Sequence, residues 1–156
     1  KRRIKWASRL RLDLLTALII GSENPITLAA RLQLTKTQQE LIKQHLEIQD
    51  FLLDLNTEKD YLSWQPSQWC RLIETKNWHH DAIALSICNG GRMWKPLMRW
   101  FNRWRLVKSP ISAKELIKQG WEQGPSLGRR LQKLREEKID NFRRSNNLPN
   151  QVRSRL

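Results

Sequence analysis

Residues Pro110–Asn141 read PISAKELIKQGWEQGPSLGRRLQKLREEKIDN, and they decide the fold. The pattern is a short helix, a tight turn and a longer helix. Ser112 is placed as an N-cap, and Glu115 follows at the spacing of a capping box. Leu116 and Ile117 give the short helix an apolar side. Gly120 ends it, because glycine enters the left-handed region without a steric cost. Gly124-Pro125 starts the next helix, since proline at the first helical position has its φ preset and gives up only an N–H that would have no partner there. Leu127, Leu131 and Leu134 recur at i, i+4, i+7, so one face of the second helix is apolar. Arg129, Arg130 and Lys133 fall on the other side. Gly128 lies one turn in, where a missing side chain allows another backbone to approach closely.

Working outward, the chain has 156 residues, room for one domain or two small ones. It opens at Lys1 with no methionine, which points to a fragment, a processed form or a trimmed chain. Lys and Arg number 29 against 15 for Asp and Glu, a net charge of +14. The excess is uneven: residues 79–156 carry 17 basic and 6 acidic side chains, residues 1–78 carry 12 and 9. One very basic half implies a polyanionic partner, nucleic acid before an anionic membrane surface. Cys70 and Cys88 form no CxxC pair and fit a reducing, cytoplasmic setting as small core residues. The longest apolar run, Leu12–Ile20, is nine residues and contains Asp13 and Thr16, too short and too polar to span a membrane. No signal-peptide pattern is present.

The rest of the chain also has helical period. After a basic leader KRRIK, the positions Trp6, Leu10, Leu14, Ala17 and Leu18 predict one helix from Trp6 to Ile20, ended by Gly21-Ser22. Asn24-Pro25 is a turn, and Ile26–Leu34 a short helix. Thr35 or Thr37 caps a long helix to Leu55 whose outer side is acidic through Glu40, Glu47, Asp50 and Asp54. A connector with one helical turn covers Asn56–Pro66. Ser67–Ile73 and His79–Cys88 are further helices, the second mostly apolar, with Asn89-Gly90-Gly91 as a stop. No β-alternation of useful length occurs. The fold class is therefore all-α, helical hairpins or a bundle. Ser109-Pro110 divides a helical body, 1–109, from a small helical unit, 110–145, and 146–156 is a loose basic tail.

The stretch Arg92–Val107, RMWKPLMRWFNRWRLV, is the second informative one. On a helical wheel Trp94, Leu97, Met98, Phe101 and Trp104 share one face. Arg92, Lys95, Arg99 and Arg103 share the other, and no acid interrupts them. Pro96 fits if it lies in the first turn. Trp100, at the edge of the apolar face, and Trp121, in the hairpin turn, are candidates for stacking on exposed bases, while Trp94 and Trp104 fill the core.

The run Leu116, Gly120, Gly124-Pro125-x-Leu127-Gly128, Leu131, Leu134 resembles a motif near the C-terminus of the tRNA nucleotidyltransferase / poly(A) polymerase family, the CCA-adding enzymes and their relatives. The family's usual Gly-x-Asp-Leu is Ala113-Lys114-Glu115-Leu116 here, so its Asp is not carried over. The resemblance implies an N-terminal catalytic head, in cis or in trans, with helical regions behind it that grip tRNA and place its 3′ end. Its specific part is the last third of the chain.

The chemistry of such a head is missing. Nucleotidyl transfer needs clustered carboxylates to hold Mg²⁺ against phosphate. The family presents them through an Asp-x-Asp beside a Gly-Ser turn, and this chain has no Asp-x-Asp. Gly21-Ser22 follows a helix and is read as its terminator. No catalytic residue, metal ligand or cofactor is therefore assigned, and Mg²⁺ is expected only in the absent head. His79-His80-Asp81 carries the doublet of HD metal phosphohydrolases, but the upstream His and downstream Asp could only be His45 and Asp140, at spacings that recommend neither. Asp81 has a simpler role near the positive end of a helix. A helix start at Gly124-Pro125 also suits a phosphate, but Glu122 opposes it, and the second glycine of a helix-hairpin-helix is lacking. The expectation is an RNA-binding region, with tRNA as partner, no membrane, and Arg92, Lys95, Arg99, Arg103, Arg129, Arg130, Lys133, Trp100 and Trp121 as its contacts. The alternatives are a stand-alone helical nucleic-acid binder and an HD-type phosphohydrolase.

Overall fold

The computed structural model describes residues 2–55, 61, 63–91 and 93–146, with the backbone alone for 143–146. Its helices are α1 (Arg2–Arg9), α2 (Leu14–Ile19), α3 (Pro25–Arg31), α4 (Lys36–Leu55), α5 (Pro66–Thr75), α6 (His80–Asn89), α7 (Trp94–Asn102), α8 (Ala113–Lys118) and α9 (Pro125–Asn146), with a 3-10 turn at Trp104–Leu106. The described residues contain no strand, and the fold is all-α. Lys1, most of the Asn56–Pro66 connector, Arg92 and the tail from Asn147 lie outside the described residues.

Helix α6 is the hub. Every residue from Ala82 to Cys88 is buried, as a helix apolar on all sides must be. It packs against α1, α4 and α7. Ala82, Ile83 and Ile87 join one core with Ile48, Trp69, Ile73, Leu97, Trp100 and Trp104. Leu85 and Cys88 join a second with Ala7, Ala17, Ile19 and Ile42. Each fully buried Ile or Leu contributes roughly 1.5–3 kcal/mol. The local signals that set the helix ends act as read. Thr35 and Gln38 exchange hydrogen bonds ahead of α4, and Gly90 turns the chain out of α6 with φ 88°.

The predicted helix Trp6–Ile20 is two helices. Arg11 takes a left-handed φ of 56°, and Asp13 then caps α2, its carboxylate accepting from the Thr16 N–H at 2.9 Å. A cap bond and a turn outcompete a continuous apolar period. The second helix buries Thr16, Ala17, Ile19 and Ile20, whereas Leu14 and Leu18, expected inside, are 45% and 56% exposed. Gly21 also has a tertiary reason: the Arg3 guanidinium occupies the place its Cβ would take.

The α8–α9 hairpin forms as read. Ser112 and Glu115 make both bonds of the capping box, and Gly120 has φ 95°. Leu116, Leu127 and Leu134 form a small third core. Helix α9 runs to Asn146. Its second half docks on α5 across the expected boundary at Ser109-Pro110: Ile139 enters the first core, Asp140 accepts from the Ser67 N–H and hydroxyl at 2.8 and 2.7 Å, and Glu136 pairs with Arg71. Gly128 is not a packing point, because among the described residues a Cβ there would meet nothing within 4 Å.

Candidate nucleic-acid interface

Helix α7 starts at Trp94, which puts Pro96 in the first turn, where no intrahelical N–H bond is lost. Lys95 and Arg99 are exposed one turn apart on its outer side. Arg103 is exposed just past the helix end, with φ −131° and ψ −61°. Arg92, expected on the same face, lies outside the described residues. On the hairpin, Arg129 and Lys133 are exposed and Arg130 is half-buried. Among the described residues none of these six cations is in an ion pair. Arg71 and Arg135 differ: each is tied to a glutamate, Arg135 to Glu74 through two bonds of 2.8 and 2.7 Å.

Trp100 requires a correction. It is 7% exposed, and its indole N–H donates to Glu74 at 3.2 Å. The centre of the α7 core face is Leu97 and Trp100 rather than Phe101, so the Trp100 ring has no free face for a base. Trp104 is buried as expected but stands on the 3-10 turn, and Trp94 is half-buried. Trp121 keeps 37% of its surface open just beyond Gly120.

The two basic patches stand on separate elements, and Arg135 links those elements. Besides Glu74, its guanidinium donates to the carbonyls of Val107 and Trp104, at 2.8 and 3.3 Å. Ion pairing raises its already high pKa and keeps it charged. The acidic residues Glu40, Glu47, Asp50 and Asp54 are exposed on α4 as expected.

Sequence reasoning passed over a third group. Trp6 and Trp94 meet with ring centroids 6.3 Å apart. Arg2 lies over Trp94 at 5.5 Å and Arg9 over Trp6 at 5.4 Å. Arg2 of the leader KRRIK thereby stands alongside the start of α7, and the leader's composition was the available signal. Arg105 lies over the Phe101 ring at 4.5 Å.

His79, His80 and Asp81 come together at the start of α6, their ligating atoms within 4.8 Å of one another. The His79 ring caps the helix by accepting from the Asp81 N–H at 3.2 Å. Neither His45 nor Asp140 joins them. Asp140 is held by Ser67. His45 is 1% exposed, its Nδ1 2.9 Å from the Ser86 hydroxyl. That hydroxyl donates to the Ala82 carbonyl, so Nδ1 carries a proton. Burial, and then the charge of Arg3, push its pKa down to about 4. The four groups of an HD site do not converge. Burial likewise raises the thiols of Cys70 to about 12 and Cys88 to about 11, which leaves both inert as nucleophiles.

No helix among the described residues is long and apolar enough to cross a membrane. No family model matches the chain, and no match was found among curated proteins or solved structures.

Proposed function

We propose that this chain is the RNA-holding C-terminal region of a tRNA nucleotidyltransferase / poly(A) polymerase, which places the tRNA 3′ end for a catalytic head that the chain does not contain. The observation that carries this is the hairpin pattern Leu116, Gly120, Gly124-Pro125, Leu127-Gly128, Leu131, Leu134. The net charge of +14 supports it, as do the unpaired cations of α7 and α9, which project from helices anchored by Leu97, Trp100, Leu127 and Leu134. Long cationic side chains on rigid helices suit phosphates, which carry no sequence information. Duplex RNA offers mainly phosphates and 2′-hydroxyls, so recognition is of tRNA shape. The setting is cytoplasmic, the head acts in cis or in trans, and Mg²⁺ belongs to the head.

The test is a salt titration of tRNA binding. Replacing Lys95, Arg99 and Arg103 together by Ala should weaken binding and flatten the log–log salt slope by about two to three units, at somewhat under one unit per phosphate. Replacing Glu47 and Asp54 should do neither. A folded triple variant with unchanged affinity and slope removes α7 from the interface. The chain alone should add no CMP or AMP to a tRNA lacking its terminus, even with Mg²⁺.

A further inference from the structure

Between the segment that follows α7 and the first half of α9 lies an open cleft of about 450 Å³. Arg105 and Lys108 of that segment line it together with Gly128, Leu131, Gln132 and Arg135 of α9 and Glu74 of α5. Glu74 brings no free negative charge, because both its oxygens are bound by Arg135. Arg105 and Lys108 are in no ion pair among the described residues; the Arg105 Nε–H donates to the Phe101 carbonyl and its guanidinium lies over the Phe101 ring, which holds the charge in place without neutralising it. The cleft thus has a net positive lining and a size within the range of ligand sites, roughly 300–1,000 Å³.

Gly128 is the informative residue. It sits inside the helix, outside the left-handed region, so no turn requires it. It is exposed, and a Cβ would meet nothing within 4 Å, so no contact within the described chain requires it. Glycine in a helix interior is nonetheless about 0.5–1 kcal/mol worse than alanine. It lines the same cleft as the two cations, where a missing side chain leaves room for a partner's backbone.

We propose that this cleft seats one phosphodiester segment of a nucleic-acid backbone, held by Arg105 and Lys108 and laid against the bare Cα of Gly128. The assignment rests on the RNA-binding function proposed above but uses residues outside the two basic patches that support it. Two cations from a linker and a glycine-floored helix wall would grip a strand passing between the body and the hairpin, and so fix the angle of the RNA relative to both.

The test compares Gly128→Ala, Gly128→Leu and the pair Arg105→Gln/Lys108→Gln with the wild-type 156-residue chain, by tRNA-binding titrations at several salt concentrations and by thermal melting. Gly128→Ala should raise the melting temperature by about 1–4 °C, from helix propensity alone. Gly128→Leu should melt no lower than wild type, since nothing crowds the position, yet bind tRNA about tenfold more weakly. The Arg105/Lys108 pair should flatten the salt slope by about one and a half to two units. If wild type binds tRNA, and Gly128→Leu and the Arg105/Lys108 pair bind with the same affinity and slope, the cleft is not a backbone site, while the RNA-binding function stands. If wild type binds no RNA at low salt, both are overturned.

Discussion

The body and the hairpin are stabilised in different ways. The body buries isoleucines and tryptophans around α6 in two cores, with α6 covered on all sides. The hairpin has three buried leucines, Leu116, Leu127 and Leu134. Its shape comes instead from backbone devices: a capping box at Ser112 and Glu115, a left-handed glycine at 120 and a proline start at 125. Helix α9 spans both, since its first half completes the hairpin core and its second half docks on α5 through Ile139, Asp140 and Glu136. A region built on local bonds can form from a short stretch of chain but gains little from burial. A region built on burial exists only when the distant parts have assembled.

The comparison predicts unequal responses to core truncation. Ile83→Ala, at a fully buried site of α6, should cost about 2–5 kcal/mol of global stability, from lost transfer energy and the cavity left behind, read by urea unfolding. Leu116→Ala in the hairpin should act locally, speeding amide exchange in α8 while the body exchanges as before. Equal loss of global stability from both changes would show that body and hairpin unfold as one unit.

Acid should separate the regions too. His45 is neutral in the folded body, with a pKa of about 4 against the ordinary 6.5. A histidine lowered on folding stabilises fully above its unfolded value, and that contribution fades as pH falls through the window from 6.5 to 4. At about 1.4 kcal/mol per pKa unit the loss is on the order of 3 kcal/mol. Glu115 in the hairpin is also lowered, by the Ser112 N–H and then its hydroxyl, so its contribution is present above 4.5 and lost only below. Unfolding free energy measured from pH 7 to 4 should therefore fall with the body first, and His45→Gln should flatten the fall. A flat profile in the wild type would contradict a buried neutral histidine.

The link between the regions should be weaker than either core. Arg135→Gln leaves Glu74 without its bidentate partner and the Val107 and Trp104 carbonyls with one donor fewer. A loss of about 1–3 kcal/mol is expected, with faster exchange in the second half of α9. The smallest change should be Ser112→Ala, about 1 kcal/mol for a lost cap, confined to α8 amides. A Ser112→Ala effect on the body would mean that the hairpin is coupled more tightly than its few contacts imply.

What the sequence determined by itself were the features set within one turn of chain. The Ser112–Glu115 box, the turn at Gly120, the start at Pro125 and the first-turn placement of Pro96 rest on bonds or sterics between residues three or four apart, so residue type and spacing were sufficient; at α4 the sequence left Thr35 and Thr37 open, and the structure has Thr35. The all-α class followed from the same period. Much of the candidate interface followed too, because Lys95, Arg99, Arg129 and Lys133 are exposed by their position on amphipathic helices. The tertiary structure alone decided what depends on the neighbouring elements. Trp100 went inward because Glu74 of α5 offered its indole a partner. Leu14 and Leu18 were left outside because Asp13 started a new helix. The second half of α9 docked on the body because α5 supplied Ser67 and Arg71 to hold Asp140 and Glu136. Gly128 opened onto a cleft rather than a packed backbone, a cleft it lines together with the segment after α7. Burial and pairing are properties of two surfaces, and a single stretch of sequence specifies only one of them.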